Sequence, residues 1–145
     1  MCGKWRLRKH AVIAEAFGRH PEKMPLVPYV RLNEAREITS ARSVDFIFSQ
    51  VALEHADDLK TVYRNLFEWL SPVELMSHQV DFRSHGTSHI WNGHCAYSDW
   101  LWRPVRGNRH YLINREPCGT HFKALKEAGF VTLSEERIPL PSPLR

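Results

Sequence analysis

Two short polar stretches carry the groups best suited to chemistry in this 145-residue chain. One is Ser49-Gln50-Val51-Ala52-Leu53-Glu54-His55, which follows the apolar run Val44-Asp45-Phe46-Ile47-Phe48. The other runs from Asp81 to His85. His55 and His85 are candidate general bases, because an imidazole titrates near neutrality. Asp81 can hold a substrate or orient one of the imidazoles. Against this stand plainer roles, with His55 only orienting its turn and Asp81 only capping a loop.

A second group is metal-capable: His78, His85, His89, His94 and Cys95. His85 and His89 would share a face if they lay on a helix, but Gly86 and Thr87-Ser88 argue against a helix there. No CxxC or HExxH spacing is present, so no metal-ligand set is expected. A metal-dependent hydrolase built on this His-rich stretch is kept as an alternative. Trp91, Tyr97, Trp100 and Trp102 lie in the same region. With Asn92, His94 and Asp99 they suit a sugar or a planar ring; otherwise they cover a sheet.

These groups need elements to position them. Val44 to Phe48 is rich in β-branched and aromatic residues and reads as a buried strand. Leu59, Val62, Tyr63, Leu66, Phe67 and Leu70 recur at helical spacing, with Asp57 or Asp58 as cap and Ser71-Pro72 as stop. Val73 to Phe82 reads as the next strand. A strand, a helix and a strand in this order form a βαβ unit, and such sheets bind ligands beyond the strands' carboxyl ends. Upstream, residues 5–17 predict a helix from Trp5 to Phe17, and Val27 to Leu32 a short strand. Downstream, residues 83–117 form a long insert, and loops of that length are uncommon unless functional. Within it, Ser98 caps a short helix carrying Trp100, Leu101 and Trp102 and ended by Pro104. Thr120 caps a helix that stops at Gly129. Phe130 to Leu133 is a strand, Arg137 to Leu140 begins another, and residues 139–145 are a Pro-rich, frayed tail. Alternating strands and helices imply a single α/β domain over residues 1–145 with a mostly parallel sheet.

Composition narrows the classes. The net charge of +4 is mild, and its one cluster, Lys4, Arg6, Arg8, Lys9 and His10, reads as a solvated helix face. No nucleic-acid or membrane partner is expected. The three cysteines, Cys2, Cys95 and Cys118, are far apart. That argues for a reducing, cytoplasmic setting. The first twenty residues lack an apolar core, so no signal peptide is expected. No apolar run approaches the roughly 20 residues that span a bilayer.

The pattern resembles the carboxyl-terminal part of class I S-adenosylmethionine-dependent methyltransferases of the small-molecule, type 11 kind. Val44 to Gln50 is similar to the family's fourth strand, and Leu53-Glu54-His55 to the segment after it. Arg64 to Pro72 resembles the entry into the fifth strand. Glu127-Ala128-Gly129-Phe130 resembles the end of the last crossover helix, and Glu34-Ala35-Arg36-Glu37-Ile38 the segment after the third strand. The resemblance spans residues 27–138. It implies a partial Rossmann-like sheet, strands three to seven, mostly parallel with helices on both faces. It also implies that Ser49, Gln50, Val51 and Leu53 line the methionine end of the cofactor, with Glu34 accepting from the adenine amine.

Two departures qualify what the resemblance implies. None of the seven glycines is separated from another by one residue, so the family's E/D-x-G-x-G cofactor loop is not in this sequence. The Gly-Gly turn before strand five is replaced by Val73-Glu74. The expectation is a truncated homologue that transfers methyl to a small-molecule O or N in its full form and binds cofactor poorly alone. A different class is kept beside it: a non-catalytic subunit that completes its sheet with a partner chain, or with itself, through an open edge.

Overall fold

The computed structural model describes residues 39–109 and 112–138, together with the backbone of Lys4 and Trp5. The element order is β1 (Lys4–Trp5), β2 (Val44–Gln50), α1 (Leu59–Trp69), β3 (Leu70–Gln79), α2 (Asp99–Arg106), α3 (Cys118–Ala128) and β4 (Arg137–Ile138). Single 3-10 turns occur at Leu53–His55 and Gly93–Ala96.

The organising unit is β2–α1–β3. β2 and β3 pair in parallel, with Phe46 beside Leu75, Ile47 beside Met76, Ser49 beside His78 and Gln50 beside Gln79. Parallel neighbours need a crossover, and α1 supplies it. Asp58 caps α1 through its carboxylate, which accepts from the Thr61 N–H at 3.1 Å. The helix ends at Trp69, and Leu70 is already extended (φ −68, ψ 132). Pro72 makes that stop necessary, because its ring cannot follow a helical turn and the residues before it favour extended backbone.

Leu59, Tyr63, Leu66 and Trp69 of α1 are buried against Leu53, Val80 and Phe82 and against Cys118, Ala124 and Leu125 of α3. The predicted stripe holds except at its edges. Trp69 belongs to it, whereas Phe67 is half exposed and meets the Phe130 ring edge-on at 5.2 Å. A smaller core gathers around Trp102, Leu112 and Ile113.

The parallel α/β unit is as expected, but the five-strand sheet is not present among the described residues. They hold a two-stranded parallel sheet, β2–β3, and a two-stranded antiparallel one, β1–β4. The predicted strand at Val27 to Leu32 and the segment Glu34 to Ile38 lie outside the described residues. Phe130 to Leu133 joins no ladder. β2 is not the buried strand expected, because among the described residues it has a neighbour on one side only and Phe48 stays 59% exposed. Trp5 stands in β1 opposite Arg137 and not in the first turn of a helix. Pro104 lies inside α2 and does not end it; Gly107, at φ +52, does. α3 starts two residues before Thr120, with Pro117 at the cap position, since a proline there forfeits no helical donor. No described helix is long and apolar enough to cross a membrane.

Glycine is required at Gly129 for two reasons. Its φ is +102, and a Cβ there would sit 3.1 Å from the Phe67 ring. The reverse holds at the start of β3. Val44 pairs with Leu70 and Phe46 with Leu75, so Asp45 stands opposite the bulge Ser71-Pro72-Val73-Glu74. Val73 occupies φ +66 and is 99% exposed. A β-branched side chain in left-handed backbone is strained and here buries nothing in return. Val73→Gly is therefore expected to raise stability by about 1 kcal/mol, the strain relieved exceeding the added unfolded-state entropy. Urea unfolding of the two proteins measures it, and a loss of stability would contradict the strained bulge.

Candidate functional site

The carboxyl ends of β2 and β3 emerge side by side, and the polar groups collect there. At the end of β2, Val51 adopts φ +52, unusual for a β-branched residue, and its N–H donates to the Gln79 carbonyl at 2.8 Å. Such strain persists only where neighbours over-determine it, and it clusters at ligand sites. The 3-10 turn Leu53–His55 follows. Asn114, from the far end of the insert, pins that turn. Its backbone N–H donates to the Glu54 carbonyl at 2.6 Å. Its side-chain amide donates to the carbonyls of Leu53 at 3.1 Å and Ala56 at 2.8 Å.

At the end of β3, Asp81 is almost fully buried and held by Arg83. The Arg83 Nε donates to Oδ1 at 2.9 Å and to Oδ2 at 2.8 Å, and its backbone N–H to Oδ1 at 3.0 Å. Burial pushes the Asp81 carboxyl up, but the bonds and charge of Arg83 outweigh it and hold the group below the usual carboxylate range. His85 turns back over this pair. Its Nδ1 lies 2.8 Å from the Arg83 carbonyl and its Nε2 3.8 Å from Asp81 Oδ2. The His55 ring meets it at 5.8 Å between centroids. His55, Asp81 and His85 are thus brought together.

Glu54 completes the group. It is 3% exposed, and neither carboxylate oxygen has a hydrogen-bond partner. Burial raises its pKa above the ordinary value. The nearby Asp81 charge pushes the same way. The His55 Nδ1 is also buried without a partner.

Of the expected cofactor residues, Ser49 lies at the strand end with its hydroxyl 2.7 Å from the His78 Nδ1. Gln50 and Val51 are exposed, and Leu53 is buried in the core. Beside them the described residues leave a cavity of about 500 Å³, bordered by Phe46, Ser49, Ala52, Leu53 and His55. Glu34 lies outside the described residues. The His-rich insert does not act as one unit. His89 is exposed, His94 is buried with its Nε2 3.5 Å from the Cys95 sulfur, and His85 and His89 share no helix. Of the aromatics, Trp102 is a core residue under the Arg115 guanidinium, which lies 5.5 Å from its ring, while Trp100 is 78% exposed. Glu54, Arg83 and Asn114 were not singled out from the sequence. Glu54 alone had a signal, its place beside His55.

Beneath the site two histidines are buried. Burial lowers His78 to about 4, and burial with the His78 charge lowers His121 to about 4. The His121 Nδ1 bonds the Tyr63 hydroxyl at 2.9 Å. No family model, curated protein or solved structure matches this chain.

Two predictions follow from this geometry. For the histidines, the folded pKa lies below the unfolded 6.5, so the unfolded chain binds more protons between pH 6.5 and 4. Stability is full above that window and falls as pH drops through it, by at most about 2.7 kcal/mol per pH unit for two protons. Glu54, raised, runs the other way and offsets part of the fall. Urea unfolding across the window should show this loss, with about half the slope in His121→Asn; an unchanged slope would place the effect elsewhere. Separately, Asn114→Ala should destabilise by about 1–3 kcal/mol, the range for part-buried hydrogen bonds left unmade. Amide exchange should accelerate most in residues 53–56, and a uniform change across α1 would contradict the local pin.

Proposed function

We propose that this chain is a homologue of class I S-adenosylmethionine-dependent methyltransferases, acting in its full form on an O or N of a small molecule. The observation that supports it is the β2–α1–β3 unit, whose shared carboxyl edge gathers His55, Asp81 and His85, with His55 bordering an apolar cavity. In an open α/β sheet that edge is where ligands sit. The cavity falls in the range of small-molecule sites, about 300–1,000 Å³. Ser49, near the end of the fourth-strand likeness, and Ala52 and Leu53 after it border the cavity, while Gln50 and Val51 do not; the first three fit the methionine end of the cofactor.

The cofactor supplies, when bound, a methyl group activated on a sulfonium. The protein's part is then orientation and proton handling. In this reading His85 is the base: its Nδ1–H is engaged by the Arg83 carbonyl, which leaves Nε2 as the basic nitrogen. Asp81, kept anionic by Arg83, stabilises the imidazolium that forms when Nε2 takes the acceptor's proton. His55 borders the cavity and positions the acceptor. The strained Val51 fixes where β2 ends and the turn begins.

With no Gly-rich loop in the sequence, the chain offers one wall of the cofactor pocket. It should give no micromolar calorimetric binding of S-adenosylmethionine. In amide NMR spectra, millimolar S-adenosylhomocysteine should shift residues 49–55 first. No shift in that stretch would sink the reading, and micromolar affinity would overturn the claim that the loop is decisive.

A further inference from the structure

Glu54 has no task in the methyl-transfer scheme, yet it is buried with both carboxylate oxygens unpartnered. A buried carboxylate without a hydrogen bond costs free energy unless something pairs with it. Its neighbours are of a particular kind. One ligand-type atom from each of Glu54, His55 and His85 lies within 4.8 Å of the others, and among the described residues this is the one such cluster. We propose that Glu54, His55 and His85 bind one divalent transition-metal ion.

Three observations carry this, and none depends on the methyl-transfer reading; with an ion bound, His85 Nε2 is a ligand and no longer the base of that scheme. The first is the donor set. Two imidazoles and a carboxylate suit zinc and its first-row neighbours, and they leave at least one position for water or a substrate oxygen. The second is that two of the three donors are buried and unmatched: both Glu54 oxygens and the His55 Nδ1 lack partners. The third is the tautomer of His85. Its Nδ1–H donates to the Arg83 carbonyl at 2.8 Å, an outer contact of the kind that fixes metal-binding histidines. That leaves Nε2, 3.8 Å from Asp81 Oδ2, as the nitrogen that can take an ion.

Asp81 is not counted as a ligand, because Arg83 occupies both of its oxygens. It deepens the negative potential around the ion. A tetrahedral ion with bonds of about 2.1 Å spaces its ligands roughly 3.4 Å apart, so a cluster whose atoms lie within 4.8 Å of one another must close by up to about 1.4 Å. His85, with 28% of its side chain exposed, has room to make that adjustment.

The test uses the untagged full chain, stripped with chelator and titrated with Zn²⁺ by calorimetry and with Co²⁺ by visible absorption. One equivalent should bind, with the d–d bands of a low-coordinate Co²⁺ site. Glu54→Gln and His85→Ala should each weaken binding at least about 100-fold, since losing even an outer partner costs roughly 10–100-fold. His89→Ala, an exposed histidine outside the cluster, should bind as the parent does. His85 is exposed, so its variant keeps the test sound even if Glu54→Gln folds poorly. Absence of stoichiometric binding overturns the proposal, as does binding that survives both substitutions. No S-adenosyl compound enters the experiment, so its failure is separate from failure of the methyltransferase reading.

Discussion

The parallel pairing of β2 with β3 is the constraint from which the rest follows. Two parallel strands cannot be joined by a tight turn, so the chain must return the length of the sheet before it pairs again. α1 makes that return and passes into β3 without a loop. Both strands then end on the same edge, which places the turn Leu53–His55 against the segment Val80 to His85. An antiparallel hairpin would have put the two polar stretches at opposite ends, and no shared site could form. The crossover also decides the core. α1 turns Leu59, Tyr63, Leu66 and Trp69 onto the same cluster that α3 enters through Ala124 and Leu125.

The parts of this fold that were legible in the sequence are those set by local periodicity and local chemistry. The α1 stripe, the Asp58 and Ser98 caps and the Gly129 stop all obey rules written within a few residues. The misreadings have non-local causes. Pro104 is tolerated inside α2, whose Trp102 is anchored in the second core. Trp5 is extended because it pairs with Arg137, more than a hundred positions away. Phe48 looked like a buried strand residue, and its exposure depends on how many strands flank β2.

The site divides the same way. His55, Asp81 and His85 were legible because strand ends are where an α/β sheet places polar function. Glu54 was passed over because an acidic residue in an amphipathic turn ordinarily faces water. Its turn is held from outside, by the segment that brings Asn114 to the Glu54 and Leu53 carbonyls. The hydrogen bonds of Asn114 link positions about sixty residues apart, and no spacing rule predicts them. Arg83 was invisible for a related reason. Its role depends on Asp81 being buried first, since an exposed pair at the same separation would be worth little.

The long insert therefore does more than cover the sheet. It folds around Trp102, with Tyr97 stacked at 6.1 Å and Arg115 over the ring. Arg106 reaches Asp57, just before α1, at 2.5 Å. Asn114 follows directly from Ile113 of that small core, so the second core and the turn bearing Glu54 and His55 are mechanically joined. A displacement of the insert would move the Asn114 amide, release the carbonyls of Leu53 and Ala56, and open the buried face of Glu54 to water. The packing of Trp102 is thus linked, through Ile113 and the Asn114 hydrogen bonds, to the turn that carries Glu54 and His55.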